Sequence, residues 1–170
     1  CLLDAHLDLR DTSGGLSNGN PVRALLEDGL PGQHIVQVGI QPFANSPDYA
    51  RVAREAGICI VTADQVRARG IESVVEAALQ HLAPRVNHVY VDLDLDVLDR
   101  AFAPATPGSR PGGLTPSEVR RAAALCGRYS KVRAIDLVEI DPERDIAQST
   151  ALAAAQCLLS FASGVLERKP

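Results

Sequence analysis

An α/β fold of three layers, with helices on both faces of a mostly parallel sheet, is what this sequence predicts, and three observations carry the prediction. Short apolar runs alternate with helical patterns along the chain, the order that produces a parallel sheet covered on both sides. Apolar residues make up 46% of the chain but aromatics only 4%, so the core between those layers is aliphatic. Two of the apolar runs, Leu2-Leu3 and Val89-Tyr90-Val91, lead directly into clusters of ionisable residues. Open α/β sheets place their ligands at such carboxyl ends of strands.

In chain order, the apolar runs predict strands over residues 1–4, 35–40, 59–62, 88–94 and 132–138. Helices are expected over 21–28, 47–55, 63–69, 71–82, 116–127 and 147–166. The clearest start is Thr115-Pro116-Ser117-Glu118, a capping Thr with Pro at the first helical position and Glu at the third. Ser46 and Asp48 offer a weaker cap around Pro47. His34 and His88 stand at strand starts, and His81 falls in a helix's last turn, where a cation suits the dipole. All three read as structural. The stretch 100–113, rich in Pro and Gly, is long for a connection, and loops of that kind are commonly functional. Following Asp94 and Asp96, it is expected to wall a site.

Length and charge narrow the function. At 170 residues the chain is one domain, with net charge −4 and only two lysines, Lys131 and Lys169. Neither a basic stripe for nucleic acid nor a polybasic run for a membrane surface is present. No apolar stretch is read as approaching the ~18 residues of a membrane span, and no signal peptide opens the sequence. The four cysteines (Cys1, Cys59, Cys126 and Cys157) lie far apart without a CxxC pair and read as thiols of a cytoplasmic protein. The expected partner is a small-molecule substrate, with no nucleic acid and no membrane, and the expected assembly is a homo-oligomer. There is no methionine, and the chain opens inside what reads as a central strand. The expectation is therefore a C-terminal portion of a larger domain, with an open edge or an uncovered face at the first strand.

Asp4-Ala5-His6-Leu7-Asp8 and Asp94-Leu95-Asp96 carry the chemistry. If each segment continues its strand, alternate residues share a face, so Asp4, His6 and Asp8 point one way and Asp94 and Asp96 point together. Burying such groups without partners costs several kcal/mol, on the order of ~2–7 for a polar group and more for a charge. Four converging carboxylates repel unless cations neutralise them, and two divalent ions bring the charge to zero. Asp92, one strand repeat earlier, is expected to make a structural hydrogen bond lower down.

Those residues, with Asp99, Ala103-Pro104-Ala105, Pro111-Gly112-Gly113-Leu114-Thr115 and Val138-Glu139-Ile140-Asp141-Pro142, resemble the ureohydrolase superfamily of arginase, agmatinase and formimidoylglutamase. The resemblance runs in order from Asp4 to the last helix. Ser17-Asn18-Gly19-Asn20-Pro21-Val22-Arg23, Asp8-Leu9-Arg10, the stretch from Gly32 to Ile40 and Phe43-Ala44-Asn45-Ser46 look like the formimidoylglutamase version. Arginases typically have histidine where Asn18 stands. The resemblance implies an arginase-like sheet and two Mn²⁺ ions bridged by Asp4 and Asp94, with His6 and Asp96 completing one shell and Asp8 serving the other. Oxygen-rich ligands with one imidazole suit Mn²⁺. It also implies that water activated at such a pair attacks N-formimidoyl-L-glutamate, giving glutamate and formamide in histidine breakdown. Asp8 would relay the proton to the leaving amine and Glu139 would face the amidine-like end. A further metal-ligating histidine, usual earlier in the family, has no counterpart here, and Arg100 stands where many members have proline.

For a glutamate-derived substrate, Arg10 and Arg23 are candidate carboxylate forks, with Asn18 and Glu139 beside them. Two alternatives stay open: an agmatinase-like guanidino hydrolase releasing urea, and an inactive remnant serving as an assembly module. A phosphatase built on Asp94-X-Asp96 lacks the basic residue its substrate needs.

Overall fold

A computed structural model describes residues 1–168. Five strands, β1 (Leu2–Leu3), β2 (Val36–Ile40), β3 (Cys59–Thr62), β4 (Val89–Asp94) and β5 (Val132–Val138), form one sheet in the order β3-β2-β1-β4-β5. Every pairing is parallel. The helices are α1 (Pro21–Glu27), α2 (Pro47–Ala56), α3 (Ala63–Arg69), α4 (Ile71–Leu82), α5 (Pro116–Arg128) and α6 (Ser149–Leu166). Three-layer packing follows from the strand parity. Leu3, Val36, Val38, Val91 and Leu93 pack with residues of α3, α4, α5 and α6 in the larger core. Leu2, Ile35 and Ile60 pack with α1 and α2 in a smaller one on the other side.

The expected elements all form, with ends shifted for identifiable reasons. Thr115 caps α5 as read, its hydroxyl accepting from Glu118 N while the Glu118 carboxylate accepts from Thr115 N at 2.7 Å. Ser46, rather than Asp48, caps α2. The last helix begins at Ser149 instead of 147, because Ala147 and Gln148 adopt positive φ. The Asp145 carboxylate then accepts from the amides of Thr150 (3.1 Å) and Ala151 (2.9 Å) at the helix start.

The first strand has neighbours on both sides, β2 and β4, so of the two alternatives expected there the open edge does not occur and a partly open sheet face does. The expectation of no membrane-length apolar stretch is corrected: α6 is an uncharged run of 18 residues with mean hydropathy 1.5, long and apolar enough by composition to cross a membrane. Its place here is in a helical layer against α5. A Cβ on Gly127 would strike the carbonyl of Phe161, and one on Gly164 the carbonyl of Ala124, so small residues let the two backbones touch. Its opposite side exposes Leu152, Leu159 and Leu166.

Candidate metal centre

The strand geometry assumed for the two ionisable clusters does not hold, yet the clusters meet. β1 ends at Leu3, and beyond it the chain turns, because the Asp4 carboxylate accepts from His6 N at 2.6 Å. Asp8 sits at φ 51, outside any strand. Likewise β4 ends at Asp94, whose carboxylate caps a short 3-10 turn over Leu95–Val97 by accepting from Asp96 N at 2.8 Å. Alternation therefore fails as the reason these residues share a site. Each aspartate at a strand's end instead folds the next ligand candidate back over it.

Adjacent parallel strands bring the two turns together at the sheet's carboxyl edge. Ligand atoms of Asp4, His6 and Asp96 all lie within 4.8 Å of one another. His6 Nδ1 is 2.7 Å from Asp96 Oδ2 and 3.7 Å from Asp4 Oδ1, and Asp96 Oδ1 accepts from Ala5 N at 3.1 Å. Asp4, Asp94 and Asp96 are buried and His6 is half-buried. Asp4 Oδ2 is fully buried and has no hydrogen-bond partner among the described residues. An orphaned carboxylate oxygen in such a place is costly.

The electrostatics say the same. Burial pushes Asp94 up to about 11, with Asp96 and Asp4 adding repulsion. Burial also raises Asp4 well above the usual carboxylate range, reinforced by Asp8 and Asp96. Asp8 rises to about 6 through burial, partly opposed by His6. At Asp96 burial acts upward too, but the His6 hydrogen bond and charge outweigh it and hold the group below its ordinary value. Its partner His6 is raised by that same bond. One imidazole cannot offset four carboxylates. The donor set, oxygen-rich with a single nitrogen, and the orphaned Asp4 Oδ2 both fit a hard divalent cation.

A cavity of about 580 Å³ adjoins the cluster, and Asp8, Asp94, Asn18 and Glu139 belong to its wall. Asn18 and Glu139 meet across it, Nδ2 donating to Oε1 at 3.2 Å. Arg10 is exposed and lies against Gly19 in the neighbouring loop. Arg23 is turned to Glu27, 2.6 Å away on its own helix, and lines neither cavity nor cluster. That pair is solvent-exposed and engages one of the guanidinium's donors, Nε.

The loop over residues 100–113 does wall the cluster. A Cβ on Gly108 would collide with Asp96 Oδ2 and come within 3.1 Å of His6 Cε1, so only glycine permits this close cover. Buried Ser109 pins the loop by donating to the carbonyls of Ala103 and Thr106, and Arg100 donates to the Ser109 carbonyl. Sequence reading missed Gly108, and also Asn45 and Gln37, whose amides hold the backbone beside His6. Asn45 and Gln37 fall in stretches that carry the family resemblance, but no local pattern gives them this role, because their partners are distant in sequence.

Residues 2–163 match the family described as the arginase family. The chain belongs to that family. This arginase-family chain is 40% identical over 163 residues to the formimidoylglutamase of Halalkalibacterium halodurans, covering 95% of this chain and 51% of that protein. The crystal structure of formimidoylglutamase from Bacillus subtilis superposes with a TM-score of 0.96 at 34% identity, over 99% of this chain and 53% of that one. A Trypanosoma cruzi formiminoglutamase solved with Mn²⁺ shares the fold at TM-score 0.91 and 23% identity. The chain spans about half the length of the curated relatives it matches.

Proposed function

We propose that this chain carries the metal centre and part of the substrate cavity of a manganese hydrolase that cleaves N-formimidoyl-L-glutamate to L-glutamate and formamide. The observation that carries the reading is the convergence of Asp4, His6 and Asp96. In this reading Asp4 and Asp94 would serve both ions, His6 and Asp96 would complete the shell of one, and Asp8 would belong to the other. Bound there, the ions supply Lewis-acid activation of water and neutralise the clustered carboxylates.

The chain's own residues do the rest. Glu139, steadied by Asn18, accepts hydrogen bonds from the formimino nitrogens and orients that end of the substrate. Asp8, in the cavity wall beside the cluster, takes the proton given up by the attacking water and passes it to the nitrogen of the leaving amine as the C–N bond breaks. Arg10, exposed and lying against Gly19 next to Asn18, is the candidate for a substrate carboxylate, whereas the pairing of Arg23 with Glu27 argues against that residue. We read residues 1–170 as the C-terminal portion of a single hydrolase domain; the half-length match supports its being one portion. A cytoplasmic homo-oligomer is the setting we propose.

Products decide between this and a guanidino hydrolase. Assayed with Mn²⁺ in a polypeptide that joins this segment to the half of the family's length it does not span, formimidoylglutamate should yield formamide and glutamate. Urea from agmatine, with no turnover of formimidoylglutamate, would replace the reading. Turnover of neither substrate, with no Mn²⁺ bound, would leave the assembly-module alternative.

A further inference from the structure

We infer that Asn45 is a positioning residue of the metal centre, a clamp that fixes the backbone between His6 and Asp8. The inference rests on the metal reading above. Residues 4–9 have no regular secondary structure, so their carbonyls and amides need partners from elsewhere. Asn45, in the loop between β2 and α2, supplies both kinds at once. Its Oδ1 accepts from Leu7 N at 2.7 Å, and its Nδ2 donates to Ala5 O at 3.1 Å. One side-chain amide thus spans the peptide groups on either side of His6. Beneath it, fully buried Gln37 on β2 donates to Leu7 O at 3.2 Å and reaches His6 O at 3.4 Å. Buried Leu7 and Leu9 anchor the same segment in the smaller core.

The clamp has a specific task. Asp8 adopts φ 51, a left-handed conformation that a non-glycine residue keeps only where its surroundings hold it. A hinge there would swing the Asp8 carboxylate against the His6 imidazole. Only an amide suits the position. It must donate to a carbonyl and accept from an N–H together, which an ionised carboxylate cannot do, and a carboxylate would add a further negative charge beside four others. Partners that orient metal ligands typically account for ~10–100-fold in metal affinity.

The test compares the wild-type chain with Asn45→Ala, Asn45→Asp, Asp96→Asn and Asn20→Ala. Asn20 is a control of similar kind, buried and bonded to three backbone groups of its own loop at Ser17, Asp11 and Gly15. Mn²⁺ affinity by calorimetry should fall ~10–100-fold in Asn45→Ala and further in Asn45→Asp. Asn20→Ala should lose thermal stability yet keep its affinity. Without Mn²⁺, amide exchange at Leu7 should speed at least ~10-fold in Asn45→Ala, the loss of about one net hydrogen bond, while amides within β2 keep wild-type protection. Unchanged Leu7 exchange, or Asn45 variants that bind Mn²⁺ like wild type while Asp96→Asn does not, would overturn the clamp and leave the metal reading standing. Wild type binding no better than Asp96→Asn would overturn both.

Discussion

On one face of the sheet Val91 and Leu93 are sealed at 0% exposure beneath α3 to α6, whereas on the other Tyr90, Asp92 and Asp136 of the same strands look into the cavity. Parity along β4 separates the two: Val89, Val91 and Leu93 go one way, and Tyr90, Asp92 and Asp94 the other. The covered face is aliphatic and close-packed. The other is covered by α1 and α2 only toward β2 and β3, and toward β5 it presents a carboxyl pair. Asp92 and Asp136 are register partners, and burial followed by the Asp136 charge raises Asp92 to about 7. Tyr90 donates to Asp136 at 2.6 Å. The side-chain hydrogen bond to Asp136 thus comes from Tyr90, while Asp92, expected to make a structural hydrogen bond, meets Asp136 as one carboxyl facing another; one strand serves a core and a chemical surface through its two-residue period.

The sharpest way to break this division is at the site. Asp96→Asn keeps the shape and removes a charge, and Mn²⁺ binding should weaken beyond the ~10–100-fold typical of outer-shell changes. Titration calorimetry checks it, and unaltered affinity would detach Asp96 from the site. Next in size, Leu93→Ala on the sealed face should cost ~2–5 kcal/mol in urea unfolding. On the open face, Tyr90→Phe should shift stability by no more than about 0.5 kcal/mol, since Tyr90 is 54% exposed. Equal effects would mean the faces are not distinct.

Between those extremes stands the crossing of α5 and α6. Gly164→Ala should destabilise by ~1–3 kcal/mol, because the added methyl meets the backbone at Ala124 rather than a movable side chain. Thermal or urea unfolding at constant protein concentration measures it, and a stabilised variant would show that the crossing has slack.

The pH response sharpens the comparison most gently. With chelator present, Asp8 (about 6) and Asp92 (about 7) hold protons in the fold that the unfolded chain has released by about pH 4. The folded state then binds more protons than the unfolded one. Their stabilisation is fullest below about pH 4 and is lost as pH rises through 6 to 7. The melting temperature of the chelated chain should therefore fall across that window, and Mn²⁺ should reduce or reverse the fall by binding the deprotonated carboxylates of the fold. A chelated chain that gains stability on going from about pH 5 to about pH 7.5, through the raised values and above the ordinary one of about 4, would show that these carboxyls are not raised.

The layered fold was legible in the sequence because strand and helix periods are local. Five apolar runs and six helical stretches sit where the patterns place them, and Thr115 to Glu118 announced a cap that local chemistry completes. The residue types of a metal site were legible for a similar reason: carboxylates and an imidazole following apolar runs have few bland explanations. What could not be read was how they meet. Asp4 and Asp94 end their strands by capping the turns that follow, so hydrogen bonds to His6 N and Asp96 N, not alternation, aim the cluster. Each bond is local, but the two turns meet only because β1 and β4 lie side by side though far apart in sequence.

The sequence by itself therefore determined the elements, the aliphatic core and the inventory of donors, all set by side-chain chemistry within a few residues. Only the tertiary structure decided that Asn18 reaches Glu139 and that Gly108 and Asn45 close around His6. Each of those outcomes turns on which surfaces the parallel sheet brings into contact, and contact distance is a property of the folded chain that no local pattern encodes.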